Sequence, residues 1–487
     1  MNIFQWVVNN LRSWFSKPMD DDVSTLRMLV RDWEMSEMLS LQKTGMEYYL
    51  GIQDILNPKY SLVLEDTNRL NRDLKKRIVD NQYKRVVDQK NNYSFGKPFT
   101  IQHSDQAYNE QLNAILSNVF LLTFRRITLD MFNCGVGYLY LFYDENGDLQ
   151  CERFKPWECI PVWADDEHDV LESLIHVIDT SSIQNGLKVT EYAYEFYEKD
   201  GVTVYNKNFE PMYDKQAFME VDGYPYNWER LPIVQFKLND TMTPLIHNVK
   251  TAQDALNHYE SMYYNNITKD ARDTLFVLKG YPDESMPTFY DNIMRYGAIA
   301  VDGDGAVETL DVASDPNAYN IMVKELKKTI VENAMSYWRD LDRLGTNVNQ
   351  MNILSMYSDI DLDADSIEAE VLRAFDEILW FINTHLDVDY DKIKDVTVTF
   401  NRNMIMNETD TIDNIAKSRG IISESTLLQH HPWVNNLETE MENLDSDREA
   451  MEKQLQQEQA TSNGQQDNTV YHSENTLNKR SLNNATE

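Results

Sequence analysis

Two long amphipathic helices, separated by a short β-rich insert, constrain the fold more than any other feature of this sequence. The first is predicted to start at Thr243-Pro244, a hydroxyl cap followed by a proline at the first helical position, where the missing N–H costs nothing. Its apolar stripe consists of Leu245, Val249, Ala252, Leu256, Tyr259, Tyr263 and Ile267. The second helix begins at Asp315-Pro316 and carries Met322, Leu326, Ile330 and Tyr337 on one side. At about 1.5 Å per residue the first helix would span nearly 40 Å, a length that suggests a channel or a scaffold.

The insert and the segment after the second helix differ in kind from the helices. Thr274–Leu278 and Ala298–Val301 are predicted as strands, the second ending at the turn Asp302-Gly303-Asp304-Gly305. We interpret the insert as a small α+β knob. A loop of turn-forming residues, Leu344, Gly345, Thr346, Asn347, Val348, Asn349 and Gln350, then leads into a third long helix. A kink in that helix would fall near the acidic run Asp359 to Asp365.

The remaining chain alternates between helical and β character, so the predicted fold class is α+β, largely helical. Residues 24–93 have a helical pattern, whereas residues 94–240 shift to strands. The clearest strand signals are Leu139–Tyr143 before the turn Asp144–Asp148, the pair Thr190–Tyr197 and Val202–Tyr205, and Leu231–Phe236. Val396–Phe400 is predicted as a strand that rejoins the same sheet.

The C-terminal part of the chain is predicted to be helical and then disordered. Asn407 caps a helix that ends at Gly420, Ser423 caps a short helix, and a longer one follows from Leu437 to Met451. From about residue 454 the composition turns to Gln, Asn, Ser and Thr, which cannot bury enough apolar surface to order the chain.

Composition excludes several classes of protein. The 487 residues suggest two to four domains, and three cysteines without paired or metal-like spacing indicate a reducing compartment and no disulfide framework. No apolar run is long enough to cross a bilayer and no signal peptide is recognisable, so we expect a soluble, intracellular protein without a membrane partner. The mildly amphipathic segment Ile3–Phe15 is compatible with a peripheral membrane helix, an ordinary helix or an assembly contact.

The net charge of −35 repels nucleic acid at long range and excludes an ordinary DNA-reading protein. A surface of one sign would nevertheless suit a conduit along which a polyanion must slide. Lys324, Lys327 and Lys328 stand out against this background on the polar face of the second helix. They are either an ordinary solvated face, beside Glu325 and Glu332, or part of a positive belt around a channel in a ring of subunits.

The sequence contains no recognisable catalytic, cofactor or metal site. The glycine-rich stretch at Gly135 and Gly137 lacks the third glycine of a dinucleotide fingerprint and precedes a strand. Asp361, Asp363 and Asp365 have the spacing of a calcium loop, but Ser366 and Leu372 replace its essential glycine and glutamate, so a solvated helix start competes with that interpretation. His430-His431 indicates a helix C-terminal turn rather than a metal site, and Cys134 has no histidine signature of a nucleophile. We therefore expect no enzyme, no cofactor and no bound metal.

Several strings resemble those of the portal proteins of tailed bacteriophages, in particular portals from long-tailed phages of Gram-positive bacteria. Those portal proteins have the same order of elements: a helix, a knob, a second helix, a polar loop and a long helix. The local strings are Asn68 to Pro98 with Arg77-Ile78-Val79-Asp80, Leu231-Pro232-Ile233-Val234, Phe400-Asn401-Arg402-Asn403, Ile421 to Leu428, and His431-Pro432-Trp433. The resemblance covers roughly residues 24–455.

The resemblance implies a ring of subunits, typically a dodecamer, at one vertex of the capsid in the virion, assembled in the host cytoplasm. It implies the following regions: 1–23, an N-terminal segment; 24–240, the wing; 241–269 and 315–343, the stem; 270–314, the clip; 344–350, the tunnel loop; 351–406, a long helix and a wing strand; 407–454, the crown; and 455–487, the tail. Double-stranded DNA would pass through the ring without sequence-specific contacts, driven by a separate terminase.

The partners implied are the terminase large subunit, a head-completion or adaptor protein, and the major capsid and scaffolding proteins. From the position of the insert between two helices we predict a docking surface at its tip, formed by Pro282, Asp283, Glu284, Ser285, Met286 and Pro287. DNA is expected to meet the protein at residues 344–350 and at the three lysines. An elongated helical minor head or scaffold protein that forms no closed ring remains the alternative.

Overall fold

The computed structural model describes residues 23–57, 76–184, 187–189, 191–221, 224–267, 275–279, 306–310, 316–338, 350–402, 408–434, 437, 440–451 and 453. The described residues form two compact units, one within 1–341 and 356–404 and the other within 342–355 and 405–487. Both helices and strands are abundant, which confirms the predicted α+β class.

Helices and antiparallel strands are interleaved in the first unit. Its helices are α1 (Val23–Glu34), α2 (Glu37–Tyr49), α3 (Gln82–Phe95), α4 (Gln106–Ile115), α5 (Asn118–Cys134), α6 (Ile246–Ile267), α7 (Pro316–Asn333) and α8 (Gln350–Leu386), of which α8 begins in the second unit. The helices α4 and α5 fall in a stretch predicted to be mainly β, and they account for much of its buried apolar surface.

Two antiparallel sheets form the β part of this unit. One has the order β12-β2-β3, from Ile233–Lys237, Val136–Tyr143 and Leu149–Phe154. The other has the order β4-β5-β8-β9, from Cys159–Trp163, Leu171–Asp179, Tyr192–Glu198 and Gly201–Tyr205. The predicted strands at 139–143, 231–236 and 202–205 are thereby confirmed.

Short two-stranded pairs complete the β structure. They are β6 (Ser182–Gln184) with β7 (Leu187–Val189), β10 (Met219–Val221) with β11 (Tyr224–Tyr226), and β1 (Thr100–Gln102) with β15 (Thr397–Thr399). The prediction that residues 396–400 rejoin the main sheet was wrong. This strand pairs with Thr100–Gln102 instead, because the Phe400 side chain that follows it packs into the aromatic cluster beside Phe99.

An aromatic cluster joins three buried rings of the main core to two partly buried rings that pack against it. Phe99, Phe120, Phe124, Phe375 and Phe400 meet mainly edge to face, with ring centroids 4.9 to 6.3 Å apart. Such pairs contribute about 0.5–1.5 kcal/mol each beyond the burial of their area. The cluster holds α5 against the C-terminal half of α8.

The first of the two predicted long helices begins later than expected. It starts at Ile246, not at Pro244, because the Leu245 N–H donates to the Phe132 carbonyl at 3.1 Å and the Thr243 N–H donates to the Asn239 side chain at 2.9 Å. The predicted apolar stripe is buried from Leu245 to Leu256, whereas Ile267 at the far end is 61% exposed.

The second long helix begins at Pro316, as predicted, but ends at Asn333. Met335 then adopts a left-handed φ of 48°, which stops the helix, so Tyr337 lies beyond it rather than on its apolar side. On that predicted side Ile330 is fully buried, whereas Met322 is 46% exposed.

In the second unit, α9 (Glu408–Ser418), α10 (Glu424–Gln429) and α11 (440–451) follow one another. The Ser423 side chain accepts from the Thr426 N–H, which confirms the predicted cap, and Gly420 has φ +85° just after α9. The N-terminal segment 1–22, the tail from 454 and the predicted strand 298–301 lie outside the described residues.

Candidate functional site

The two long helices α6 and α7 pack against each other in antiparallel directions. The ring of Tyr319 at the start of α7 stacks on Tyr263 and Tyr259 near the end of α6, with centroids 3.6 and 5.7 Å apart. Towards the other end of the pair, Ile330 and Val331 join the main core. The pair is therefore anchored in the core at the end that carries Ile330 and Val331.

A ladder of polar side chains on α6 holds an extended segment of the chain, residues 76–81. Gln253, Asn257, Ser261 and Asn265 lie four residues apart on one face of the helix. The Asn265 side chain exchanges hydrogen bonds with both the N–H (3.1 Å) and the carbonyl (2.8 Å) of Lys76. Ser261 accepts from the Ile78 N–H at 2.9 Å, and Asn257 accepts from the Asp80 N–H at 3.0 Å.

The ladder can form because the spacing of its side chains along α6 matches the spacing of alternate residues along the extended segment. Four residues of an α-helix rise about 6 Å, and two residues of an extended chain advance about 6.6 Å. Asn265, Ser261 and Asn257 therefore meet every second residue of the segment, whereas Gln253 donates to the Asp80 carbonyl and accepts from the Tyr83 N–H. The amide and hydroxyl side chains form hydrogen bonds with the backbone of this segment, as a neighbouring strand would in a sheet.

Lys327 of α7 is part of this arrangement rather than a solvated lysine. Its ammonium lies 2.5 Å from the Asp80 carboxylate of the extended segment and 3.6 Å from the Glu260 carboxylate of α6. Burial disfavours the charge, but the hydrogen bond to Asp80 and the attraction of Glu260 outweigh it and raise the pKa of Lys327. This lysine ties both helices to residues 76–81.

The other two predicted lysines differ from it. Lys324 is exposed, and Lys328 forms a partly exposed i,i+4 pair with Glu332 at 3.4 Å. Such a pair contributes well under about 1 kcal/mol. The structure thus places two of the three lysines on an accessible face of α7 and turns the third inward.

The insert between the helices contains one hairpin in the described residues. β13 (Leu275–Lys279) pairs antiparallel with β14 (Ala306–Leu310). β13 was predicted within one residue, whereas β14 was not predicted. The candidate docking residues Pro282 to Pro287 lie outside the described residues.

The predicted loop and the acidic run lie at the start of α8. Gln350 is the first residue of this helix, and residues 344–349 lie outside the described residues. Helical hydrogen bonding continues through residues 359–365, where a kink was considered. Helix α8 extends for 37 residues, about 55 Å.

The acidic run is explained by two basic residues rather than by calcium. Arg402 forms ion pairs with Asp361 and Asp365 and binds both carboxylate oxygens of Glu368 at 3.0 Å. Asp363 pairs instead with Lys90, at 2.6 Å. The carboxylates therefore diverge around the helix, and no group of three metal-ligating side chains is found in the described part of the chain.

The remaining sequence candidates have structural roles. Cys134 and Cys159 are buried free thiols, and burial raises the pKa of both, so neither is activated as a nucleophile. His430 ends helix α10, as predicted. Gly135 and Gly137 lie where the backbone of one element contacts another, and a Cβ at Gly137 would overlap Ile127.

Sequence reasoning missed the polar ladder, Lys90 and Arg402. A periodic signal existed for the ladder, since Gln253, Asn257, Ser261 and Asn265 recur at intervals of four. For Lys90 and Arg402 the sequence contained no such signal, because their partners lie far away along the chain. The largest separation is 273 residues, between Lys90 and Asp363.

These elements define a protein built on paired long helices with a two-stranded β insert between them. The chain belongs to the phage portal protein family of the SPP1 Gp6-like type, whose family model matches residues 34–454. Members of this family are proteins of the phage capsid. The resemblance noted from the sequence is thereby confirmed.

Two relatives show the extent of the similarity. The chain is 24% identical over 449 residues to the portal protein of Bacillus phage SPP1, an alignment that covers 88% of this chain and 87% of that protein. It is 26% identical over 417 residues to the portal protein of Clostridium phage phiCD119, covering 80% and 89% respectively. No described helix is both long enough and apolar enough to span a membrane.

Proposed function

We propose that this chain forms a closed ring, a dodecamer in the virion, that serves as the channel for packaging and ejecting double-stranded DNA. The observation that carries the proposal is the helix pair α6–α7, with a core-anchored end, a hairpin at the other end and two accessible lysines on its polar face. Exposed apolar side chains on the same pair, including Met262, Ile267, Ile321 and Met322, offer surface for a neighbouring subunit to cover.

In this proposal α6 and α7 are the stem, residues 270–314 the clip, residues 344–350 the tunnel loop, and residues 407–454 the crown. The wing comprises residues 24–240 together with the strand that follows α8. The other partners are the major capsid and scaffolding proteins. Mass photometry of the purified chain tests the ring: a monomer at micromolar concentration would favour the alternative, a minor head or scaffold protein without a closed ring.

The accessible lysines provide the sharper test of a DNA channel. We expect Lys324→Glu/Lys328→Glu to lower the amount of DNA that capsids package or retain, because the DNA backbone would then meet carboxylates instead of ammonium groups. Rings and empty capsids should form normally. DNA content per capsid, measured by nuclease protection, reports the effect.

Two further variants separate an effect on DNA from a general effect of net charge and from a defect in folding or assembly. Lys43→Glu/Lys199→Glu makes the same change in net charge at exposed positions elsewhere and should leave DNA content unchanged. Lys327→Glu should instead impair folding or assembly, because it places a third carboxylate beside Asp80 and Glu260. If the Lys324/Lys328 variant fills capsids as the parent does, these residues are an ordinary solvated face.

The clip is proposed to bind the terminase large subunit during packaging and a head-completion or adaptor protein afterwards. Deletion of Pro282 to Pro287 should leave rings intact, because the hairpin β13–β14 and the stem lie outside the deleted stretch. Binding of both partners should be lost in a pull-down with purified components. Undiminished capture of both would remove the docking assignment.

A further inference from the structure

One face of helix α3 contacts both chain segments that flank residues 339–349. That face consists of Gln89, Lys90 and Tyr93, spaced as neighbours on one side of a helix. The first flanking segment is 334–338, at the end of α7, and the second is 357–363, in α8. We refer to them as the first foot and the second foot.

At the first foot, two side chains of α3 bind backbone carbonyls. The Lys90 ammonium donates to the Ala334 carbonyl at 2.6 Å, and the Gln89 amide donates to the Tyr337 carbonyl at 3.0 Å. The last carbonyls of a helix have no partner within it, so a cation at this position both satisfies a hydrogen bond and complements the helix dipole. The chain turns here through the left-handed Met335.

At the second foot, the same face of α3 binds carboxylates. Lys90 pairs with Asp363 at 2.6 Å, and the Tyr93 hydroxyl donates to Asp361 at 2.8 Å. The ring of Tyr357 packs against both Tyr93 and Tyr337, with centroids 5.7 and 4.5 Å apart. Lys90 is thus the one residue of this face whose charged group touches both feet.

The overall stability of the fold does not by itself require an ammonium group in this position. The residue is 2% exposed, and burial lowers the pKa of Lys90 despite the opposing effect of Asp363. Buried ion pairs can often be replaced by apolar groups of similar volume without loss of stability. What an apolar side chain cannot do is hold a carbonyl and a carboxylate from two different elements at hydrogen-bond distance.

We propose that Lys90 is a positioning residue that fixes the spacing between the two feet, and with it the place from which the segment between them is presented to DNA. The inference rests on the proposed function, in which residues 344–350 contact DNA. Gln89 and Tyr93 support the same spacing, each at one foot. Lys90 itself does not contact DNA.

Hydrogen–deuterium exchange on assembled rings of Lys90→Met tests the spacing directly. We expect amides of 334–338 and 357–363 to exchange at least about tenfold faster, a loss of roughly 1.4 kcal/mol of local protection, while those around Phe124 and Phe375 do not change. Tyr93→Phe, which removes one hydrogen bond, should accelerate exchange at the second foot alone. Lys90→Arg keeps a cation and should restore most of the protection.

DNA content of capsids assembled with the same variants tests the consequence, with Asn347→Asp/Asn349→Asp as the direct loop variant. Lower DNA retention in Lys90→Met, restored in Lys90→Arg, supports the inference. Unchanged exchange at the feet overturns it. If exchange rises but retention falls only in the loop variant, Lys90 does not position the loop, whereas the channel function stands. If neither variant affects retention, the loop assignment fails and the inference with it.

Discussion

Replacing Gly135 with alanine should destabilise this protein by about 2–5 kcal/mol. Gly135 ends α5 with φ +80°, a left-handed conformation that costs a residue with a side chain about 1–2 kcal/mol. A Cβ there would also overlap the Met242 carbonyl oxygen and lie 3.0 Å from the Pro244 nitrogen. Both obstacles are backbone atoms just before α6, so relief of the clash requires moving the start of that helix, with a further cost of about 1–3 kcal/mol.

Gly147 offers a matched control. It has almost the same φ, +83°, at the tip of the β2–β3 turn, but a Cβ there would meet nothing within 4 Å. Gly147→Ala should therefore lose only about 1–2 kcal/mol, the cost of the left-handed conformation. Urea unfolding of the two variants isolates the backbone contact. Equal losses would show that α5 and the start of α6 do not approach as closely as described.

Replacing Arg402 with methionine should lower the free energy of unfolding by about 2–3 kcal/mol. The guanidinium binds Glu368 through two hydrogen bonds of 3.0 Å and also contacts Asp361 and Asp365. Without it, these acidic side chains repel one another along α8, Asp361 and Asp365 at i,i+4 spacing and Asp365 and Glu368 at i,i+3. Methionine retains much of the apolar packing of the arginine stem, so the loss reports mainly on the charge.

The salt dependence of this loss shows whether repulsion between the carboxylates causes it. The carboxylates of Asp361 and Asp365 are 46% and 63% exposed, so added salt should screen their repulsion and reduce the effect. Lys207→Ala, which breaks an exposed pair of 2.9 Å with Glu191, is the control and should cost under about 1 kcal/mol. A loss for Arg402→Met as small as that of the control would mean that Arg402 does not organise the acidic run.

Much of the fold could be predicted because its signals are local. Pro316 begins a helix because proline suits a first helical turn, and Ser423 caps one because its hydroxyl accepts from the third N–H. The helices α4 and α5 were not predicted because the strand signals that begin at Leu139 were taken to represent the whole of residues 94–240. The end of α7 was placed too late because a left-handed methionine carries no local signal.

The candidate site likewise has features that the sequence predicted and features that it did not. The sequence by itself determined the two long helices, the acidic charge and the family, since each depends on residue order or composition. Tertiary structure alone decided that Lys327 pairs inward with Asp80, that Arg402 and Lys90 neutralise the acidic run of α8, and that a ladder on α6 binds residues 76–81. These partners lie tens to hundreds of residues apart in the chain. A buried hydrogen bond or ion pair is selected by the geometry that folding creates, because many side chains of the same type could have filled each role.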